Sequence, residues 1–405
     1  MNSDTGKKQH SVFTLLFPLS CFVLFSYGLL LNKLGFYWDD WPYVWTRLEL
    51  GYHGLLRHFS FSRPVAGQIH NLAILITNGS PLLAQIYGLV MQVFGSFCAG
   101  LLVHEVWPRK RFAVVLTALL FIAYPGFTMR PIAVNFGFSY FLMGMLFLSF
   151  ILSLKAMYRR ERRLICILLA GLISLLNLFA SEYFFLLELL RPCFMAASLA
   201  EKGYDRKDRL RTVFKSWLPY IAVFGCGVIY RMFFNKTQTL HYEFKLLTEF
   251  RSAPLQTVRN YILLMGRDCL RVIFEAWGTV FEFPQAAEFG SRSTLMYAVI
   301  CCAVFLVSGC FLFAASCKNV NGQGSVENLW MFGIGIAALL LAGQPFWLTE
   351  SSIHFVFQNC RYTLPFILGV SLVLTALLDR IRHPKMLPVL IASAFIGLAA
   401  GHLFV

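Results

Sequence analysis

Charged residues are scarce in this chain, and that scarcity excludes an ordinary soluble domain. Only 14% of the 405 residues are Asp, Glu, Lys or Arg, whereas 58% are hydrophobic, and the mean hydropathy is +0.65. Apolar runs of roughly 17 or more residues recur along the chain, which is long enough for a helix to cross a bilayer. These runs lack the alternating pattern of a membrane β-barrel. The composition therefore predicts an all-α, polytopic transmembrane protein.

Paired cysteines are also missing. Eleven cysteines occur, mostly inside apolar runs, without a CxxC pair or a Cys/His ligand spacing. We interpret them as small buried hydrophobic residues, not as a disulfide framework or a zinc site. The sequence also shows no convincing internal repeat, low-complexity tract or soluble domain. Residues 1–405 are therefore predicted to form one integral membrane domain.

Acidic residues are few compared with basic ones, which gives a net charge of +15. No basic segment carries the interleaved aromatic residues of a nucleic-acid site, so nucleic acid is not an expected partner. Lys and Arg cluster instead in short segments, where they set topology and contact anionic membrane lipid. Lys7 and Lys8 precede the first apolar run, which predicts a cytoplasmic N-terminus.

The apolar runs predict about eleven spans and two long external loops. The first loop, residues 32–80, includes a short interfacial helix at residues 65–77. The second loop covers residues 235–293, and its part 255–283 has the pattern of an interfacial or re-entrant helix. The predicted spans are residues 11–31, 81–104, 112–124, 132–154, 164–180, 181–200, 217–234, 294–316, 329–348, 362–379 and 387–405.

Two adjacent carboxylates, Asp39 and Asp40, lie among aromatic residues just beyond the first span. Trp and Tyr collect at the headgroup level, which places the pair at the mouth of the bilayer. One interpretation is a solvated helix cap, since Asp is a favoured N-cap residue. The other is a general base, because desolvation raises the pKa of a carboxyl group and makes it a stronger base. Asp40 is our first choice for that base and Asp39 the second.

Three arginines lie at predicted external span ends and are candidates for binding an anionic substrate group. They are Arg63, Arg130 and Arg361. A guanidinium stabilises a phosphate through two parallel hydrogen bonds. The alternative for each is contact with a lipid headgroup, which is common for an arginine at a span end.

The predicted sixth span carries three charged residues. Glu182 begins it, either as an acid that favours the helix dipole or as a second substrate-binding carboxylate. Glu188 and Arg191 lie three residues apart, and unpaired charges inside a span are expensive. We therefore predict that these two residues form a structural ion pair.

Four short motifs occur in a fixed order along the chain. They are the acidic pair in its aromatic setting at residues 36–41, Arg63-Pro64 before a short helix, residues 182–192, and an Arg-aromatic-x-x-Pro opening of a late span at residues 359–365. This combination resembles the GT-C superfamily of membrane glycosyltransferases, whose members include protein O-mannosyltransferases and the aminoarabinose transferases of lipid A. Residues 182–192 in particular are similar to the sixth span of uncharacterised bacterial members of that superfamily.

The resemblance implies an inverting glycosyltransferase that takes a sugar from a polyprenyl-phosphate carrier. An aspartate matched by Asp40 or Asp39 would act on an acceptor hydroxyl, and external arginines would stabilise the leaving phosphate. The acceptor would be a lipid, a glycan or a protein on the external side of a bacterial inner membrane. No cofactor is required. A divalent cation stays open, because some members use a metal and the loops carry His53, His58 and His70.

Two other functions remain open at this point. A transporter or flippase for lipid-linked saccharides also has many spans, but it usually shows internal repeats and broken spans at matched positions. A polysaccharide ligase would share the topology and the external arginines, without needing an acidic pair directly after the first span.

Overall fold

A computed structural model describes residues 12–60, 63–233, 245–317, 324–349, 351–381 and 386–404. Every regular element in these ranges is a helix, which confirms the all-α prediction. The α-helices are α1 (Leu16–Ser26), α2 (Asp40–Glu49), α3 (Gly51–Phe59), α4 (Ala66–Thr77), α5 (Pro81–Val106), α6 (Arg111–Ala123), α7 (Ala133–Tyr158), α8 (Arg163–Ala180), α9 (Arg191–Glu201), α10 (Arg206–Phe233), α11 (Lys245–Ser252), α12 (Pro254–Leu270), α13 (Ala276–Gly278), α14 (Ala286–Phe289), α15 (Ser291–Cys317), α16 (Gly324–Trp347), α17 (Ile367–Arg380) and α18 (Met386–Phe404).

Eight helical segments in the described ranges are long and apolar enough to cross a membrane. They are α5, α7, α8, α10, α15, α16, α18 and the segment Asn359–Arg380, in which a 3-10 helix leads into α17. Two shorter apolar helices, Val12–Ser26 and Arg111–Ala123, correspond to the predicted first and third spans. The chain is therefore a polytopic membrane protein.

The predicted sixth span is a broken helix. A 3-10 helix, Phe185–Leu190, precedes α9, and Pro192 stands in the first turn of α9, where a proline costs no helical hydrogen bond. Arg191 Nε donates to Glu188 at 2.5 Å, and its other nitrogens donate to the carbonyl and hydroxyl of Ser149. Arg191 is fully buried. The predicted structural ion pair is thus confirmed.

Helix α7 is the most deeply buried of the eight long apolar helical segments and lies at the centre of the bundle. It packs closely along α5 because glycines at the contact let the backbones approach. A Cβ on Gly95 would lie 3.0 Å from the carbonyl oxygen of Tyr140, and one on Gly88 would lie 3.0 Å from the Cβ of Ala133. The contact at Gly88 holds Ala133, the first residue of α7, against α5, and the site described below lies at this end of α7.

The two ends of the bundle are distinguished by their contacts. At one end the buried Lys110, in the turn between α5 and α6, contacts Asn328, Asp379 at 2.7 Å and Glu327 at 3.3 Å. These partners lie at the start of α16 and the end of α17. The opposite end holds the end of α6 and the start of α7, and we call it the site end.

The predicted first loop folds into three short helices at the site end, α2, α3 and α4. The helix predicted at residues 65–77 is observed as α4, Ala66–Thr77. Asn78 ends α4 in a left-handed conformation with φ of 49°, which Asn tolerates better than most residues.

The stretch 255–283 is almost continuously helical, because α12 continues through a π-helical turn, Arg271–Glu275, into α13 and a 3-10 turn. It does not qualify as a membrane span. The fully buried Asp268 accepts hydrogen bonds from Trp347 Nε1 at 3.0 Å and from the Ile353 N–H at 3.3 Å. Tyr124 donates to the Val272 carbonyl at 3.2 Å. These contacts hold the stretch against the site end.

Candidate functional site

A tight turn before α2 positions the two aspartates. Trp38 adopts φ of 45°, which an aromatic residue rarely takes, and α2 begins directly after Asp39. The preceding strand-like segment is fixed by Gln85, whose Nε2 donates to the carbonyls of Gly35 at 2.8 Å and Pro131 at 2.7 Å. The turn therefore presents Asp39 and Asp40 to the start of α7.

Asp40 caps α7 from across the fold. Its Oδ1 accepts the Asn135 N–H at 2.9 Å and its Oδ2 accepts the Val134 N–H at 3.1 Å. These are amide groups that a helix leaves unpaired at its N-terminus, where the helix dipole also favours an anion. Asp40 is fully buried. Burial raises its pKa to about 7, although the backbone hydrogen bonds from Asn135, Val134 and Ala133 oppose the rise.

Asp39 lies beside it but is partly exposed. Its Oδ2 accepts a hydrogen bond from Asn135 Nδ2 at 3.0 Å. Burial raises the pKa of Asp39 above its usual value, and the charges of Arg361, Arg63 and His58 partly offset that rise. Of the two aspartates, Asp39 is therefore the one that a substrate can reach.

Arg63 and Glu182 meet across 119 residues of sequence. Arg63 Nε donates to Glu182 Oε2 at 2.9 Å, and Arg63 Nη2 donates to Glu182 Oε1. Burial alone would raise the pKa of Glu182, but the guanidinium of Arg63 holds it below its usual value. Tyr183 lies under Arg63, with the guanidinium 5.9 Å from the ring centre.

Arg361 connects the last loop to the first. It lies on the 3-10 helix Asn359–Phe366, with its guanidinium 5.4 Å from the ring centre of Trp38 and 5.1 Å from that of Tyr362. Phe357 packs edge-on against Trp38 with 5.9 Å between ring centres. The Nη2 of Arg361 also donates to the Tyr362 hydroxyl at 3.3 Å. Stacking on two aromatic faces holds the planar guanidinium in a fixed orientation.

Arg130 is accounted for by contacts within the protein. Its nitrogens donate to the carbonyls of Ile122 at 2.6 Å, Tyr124 at 2.7 Å and Phe127 at 3.3 Å, and to Gln92 Oε1 at 3.3 Å. The residue is 2% exposed. The bonds to Ile122 and Tyr124 satisfy carbonyls that α6 leaves unpaired at its C-terminus. We therefore assign Arg130 a structural role and not the substrate-binding role that the sequence suggested.

The loop histidines do not assemble into a cation site. His70 is buried against the rings of Phe59, at 5.0 Å, and Phe138, at 4.5 Å. Burial lowers its pKa to about 3, with further lowering by Arg63 and His58. Within the described ranges, no group of three or more His, Cys, Asp or Glu residues has the geometry to hold a metal ion.

The structure thus brings together Asp39, Asp40, Arg63, Glu182 and Arg361 at the site end, and we call them the acid–arginine cluster. Three residues that the sequence interpretation did not propose also contact this cluster. They are Asn135, which contacts Asp39, Tyr183, which contacts Arg63, and Arg231, which contacts Glu182. Arg231 could have been proposed from the sequence, since a charged residue inside a membrane span is by default a candidate functional residue. Asn135 could not have been proposed from the sequence, because its role depends on contacts with Asp40 and Asp39, which lie 95 and 96 positions away.

No protein-family model matches the chain, and no curated protein matches it.

Proposed function

We propose that the protein is an inverting glycosyltransferase that moves a sugar from a polyprenyl-phosphate carrier to an acceptor hydroxyl. One observation carries the proposal. A partly exposed carboxylate, Asp39, directly follows Trp38, whose ring centre lies 5.4 Å from the Arg361 guanidinium, and the charges of Arg361 and Arg63 both lower the pKa of Asp39 against the effect of burial. A base and phosphate-binding cations at one membrane-facing site are what this reaction needs.

Asp39 is the general base in this proposal. The acceptor oxygen forms a bond to the anomeric carbon, its proton passes to the Asp39 carboxylate, and the anomeric carbon–oxygen bond to the phosphate breaks. The bonding electron pair leaves with the polyprenyl phosphate. Attack opposite to the leaving phosphate inverts the anomeric carbon. The raised pKa of Asp39 makes it a stronger base than an exposed aspartate.

Asp40 is a positioning residue. Each oxygen of its carboxylate accepts a backbone hydrogen bond at the start of α7, and Asp40 has no exposed surface for an acceptor to reach. By capping α7 it places Asn135, which in turn orients Asp39. This assignment reverses the preference for Asp40 that the sequence suggested.

Arg361 and Arg63 bind the phosphate in this proposal. Negative charge grows on the phosphate as the sugar leaves, and a fixed guanidinium stabilises that charge without having to reorganise. The stacking of Arg361 on Trp38 and Tyr362 supplies that fixation. The excess of Lys and Arg in the short loops supports an orientation with this site on the external face and a cytoplasmic N-terminus. The resemblance to the GT-C superfamily is what suggests a bacterial inner membrane.

The proposal is tested with the full chain in proteoliposomes that contain a panel of polyprenyl-phosphate sugars and soluble hydroxyl acceptors. We expect a covalent sugar–acceptor product and one released polyprenyl phosphate for each sugar transferred. Flux of the lipid-linked sugar across the membrane without a product would favour a flippase. Transfer only from a polyprenyl-diphosphate polysaccharide would favour a ligase.

A further inference from the structure

The carboxylate of Glu182 lies between two guanidiniums. Arg63 donates to both of its oxygens, one of them at 2.9 Å, and Arg231 Nη1 is 3.8 Å from Oε2. Arg63 comes from the first loop and Arg231 from the last turn of α10. Two cations from separate elements thus converge on one anion.

Arg231 is held in place without using all of its donors. Its Nη2 donates to the carbonyl of Leu178, in the last turn of α8, at 2.9 Å, and its guanidinium lies 5.2 Å from the ring centre of Phe185. The Nε of Arg231 is buried and has no hydrogen-bond partner within the described part of the chain. The Nη1 of this fixed cation faces the Glu182 carboxylate, so it can donate to an anionic oxygen that takes the place of that carboxylate.

Glu182 is held by a two-point contact that an incoming ligand can reach. It lies in the bend between α8 and the 3-10 helix Phe185–Leu190, and Arg63 supplies its described side-chain hydrogen bonds. The side chains of Arg63 and Glu182 are 31% and 37% exposed. An anion with more charge and more oxygens than a carboxylate can therefore compete with Glu182 for the same two guanidiniums.

We infer that Arg63 and Arg231 form one oxyanion site for the phosphoryl group of the lipid-linked donor, and that Glu182 is its internal occupant until the donor displaces it. This inference rests on the proposed function for the identity of the donor. A phosphoryl group carries more oxygens than a carboxylate, so it can engage the planar fork of Arg63 and the Nη1 of Arg231 together. Arg231 is thereby assigned to substrate binding.

The displacement gives the site selectivity for charge. A neutral polyprenol has no anionic group with which to replace Glu182, so it leaves the internal ion pair intact. Inorganic phosphate has the charge but gains nothing from apolar contact with the bundle. The tightest ligand should therefore combine a phosphoryl group with an isoprenoid chain.

The test is a binding measurement on the full chain in detergent micelles. Dissociation constants are measured for a polyprenyl monophosphate, the matching polyprenol and inorganic phosphate. The variants are Glu182→Gln, which removes the internal anion while keeping the side-chain shape, and Arg231→Gln. The matched control is Arg209→Gln, because Arg209 lies on the same helix about 33 Å away at 1.5 Å per residue.

We expect Glu182→Gln to bind the polyprenyl phosphate about ten-fold more tightly than the natural chain, since no internal carboxylate competes. Arg231→Gln should bind it about ten-fold more weakly, which is the usual scale for losing one charge-assisted hydrogen bond. Arg209→Gln should bind it unchanged. Weaker or unchanged binding by Glu182→Gln overturns the inference, and so does unchanged binding by Arg231→Gln.

The ligand series decides the source of the phosphoryl group. Binding of the polyprenyl phosphate at least ten-fold tighter than inorganic phosphate supports a lipid headgroup, whereas equal binding overturns that assignment. The measurement requires no sugar transfer. If the variants behave as expected but no transfer product forms, the oxyanion site stands and the proposed glycosyltransferase activity fails.

Discussion

Asn135 and Asp40 form a 2.9 Å hydrogen bond between positions 95 residues apart, with the Asn135 amide N–H donating to Asp40 Oδ1. The side chain of Asn135 also donates to Asp39 at 3.0 Å. One residue at the start of α7 therefore holds both members of the acidic pair. This separates their roles, because Asp40 is committed to the helix and Asp39 keeps an exposed face.

Removal of the Asp40 carboxylate should destabilise the fold. Asp40→Ala leaves the first amides of α7 buried and unpaired, and we expect a loss of about 1–3 kcal/mol in the free energy of unfolding. The measurement is denaturant unfolding in detergent micelles. Asp39→Ala is the matched control, with a smaller expected loss because Asp39 is partly exposed. An equal or larger loss for Asp39→Ala would contradict the separation of roles.

The stability conferred by Asp40 should depend on pH. Its pKa is raised to about 7 in the folded protein from 3.8 in a free aspartate, so the folded state binds the proton more tightly than the unfolded state. The stability that this tighter proton binding gives the folded state is complete below pH of about 4 and is lost as the pH rises through about 7. Unfolding should therefore show the natural chain losing stability relative to Asp40→Asn over that interval. A difference that does not change with pH would count against the raised pKa.

Arg130 should matter for stability and not for donor binding. Arg130→Gln removes donors from buried carbonyls at the end of α6, and we expect a loss of about 3 kcal/mol in the free energy of unfolding. The exposed Arg160→Gln is the control, with a change of about 0.5 kcal/mol or less. If Arg130→Gln is as stable as that control but binds polyprenyl phosphate poorly, Arg130 belongs to the substrate site after all.

Sugar transfer should require the planar guanidinium of Arg361 and not only its charge. Arg361→Lys keeps the charge but loses stacking on Trp38 and Tyr362, so we expect about ten-fold slower sugar transfer at saturating acceptor. Arg292→Lys, at an exposed position in α15, should transfer at the natural rate. Full activity in Arg361→Lys would show that only a diffuse positive charge is required there.

Local sequence pattern predicts most of the fold, because membrane helices require long apolar runs and backbone hydrogen bonds within each segment. It also predicts the pairing of Glu188 with Arg191, since partners one turn apart are visible in sequence. The break before α9 and the helical stretch from Pro254 depend on tertiary contacts, so the sequence places them only approximately.

The candidate site is less visible in the sequence, for a physical reason. Nothing near Asp40 in sequence reveals that its carboxylate caps α7, because that depends on the packing of the start of α2 against the start of α7, more than 90 residues further along the chain. The same holds for the convergence of Arg231 and Arg63 on Glu182. Sequence pattern identified residues with suitable chemistry, and the three-dimensional contacts assigned their separate roles.

The rate of sugar transfer by Asp39→Asn tests the central claim most directly. The amide keeps the shape of the side chain but cannot accept the acceptor proton, and loss of a general base slows a reaction by roughly 10²–10⁴-fold. We predict a loss in that range, with polyprenyl-phosphate binding and the free energy of unfolding close to those of the natural chain. Transfer by Asp39→Asn at the natural rate would contradict the assignment of Asp39 as the base.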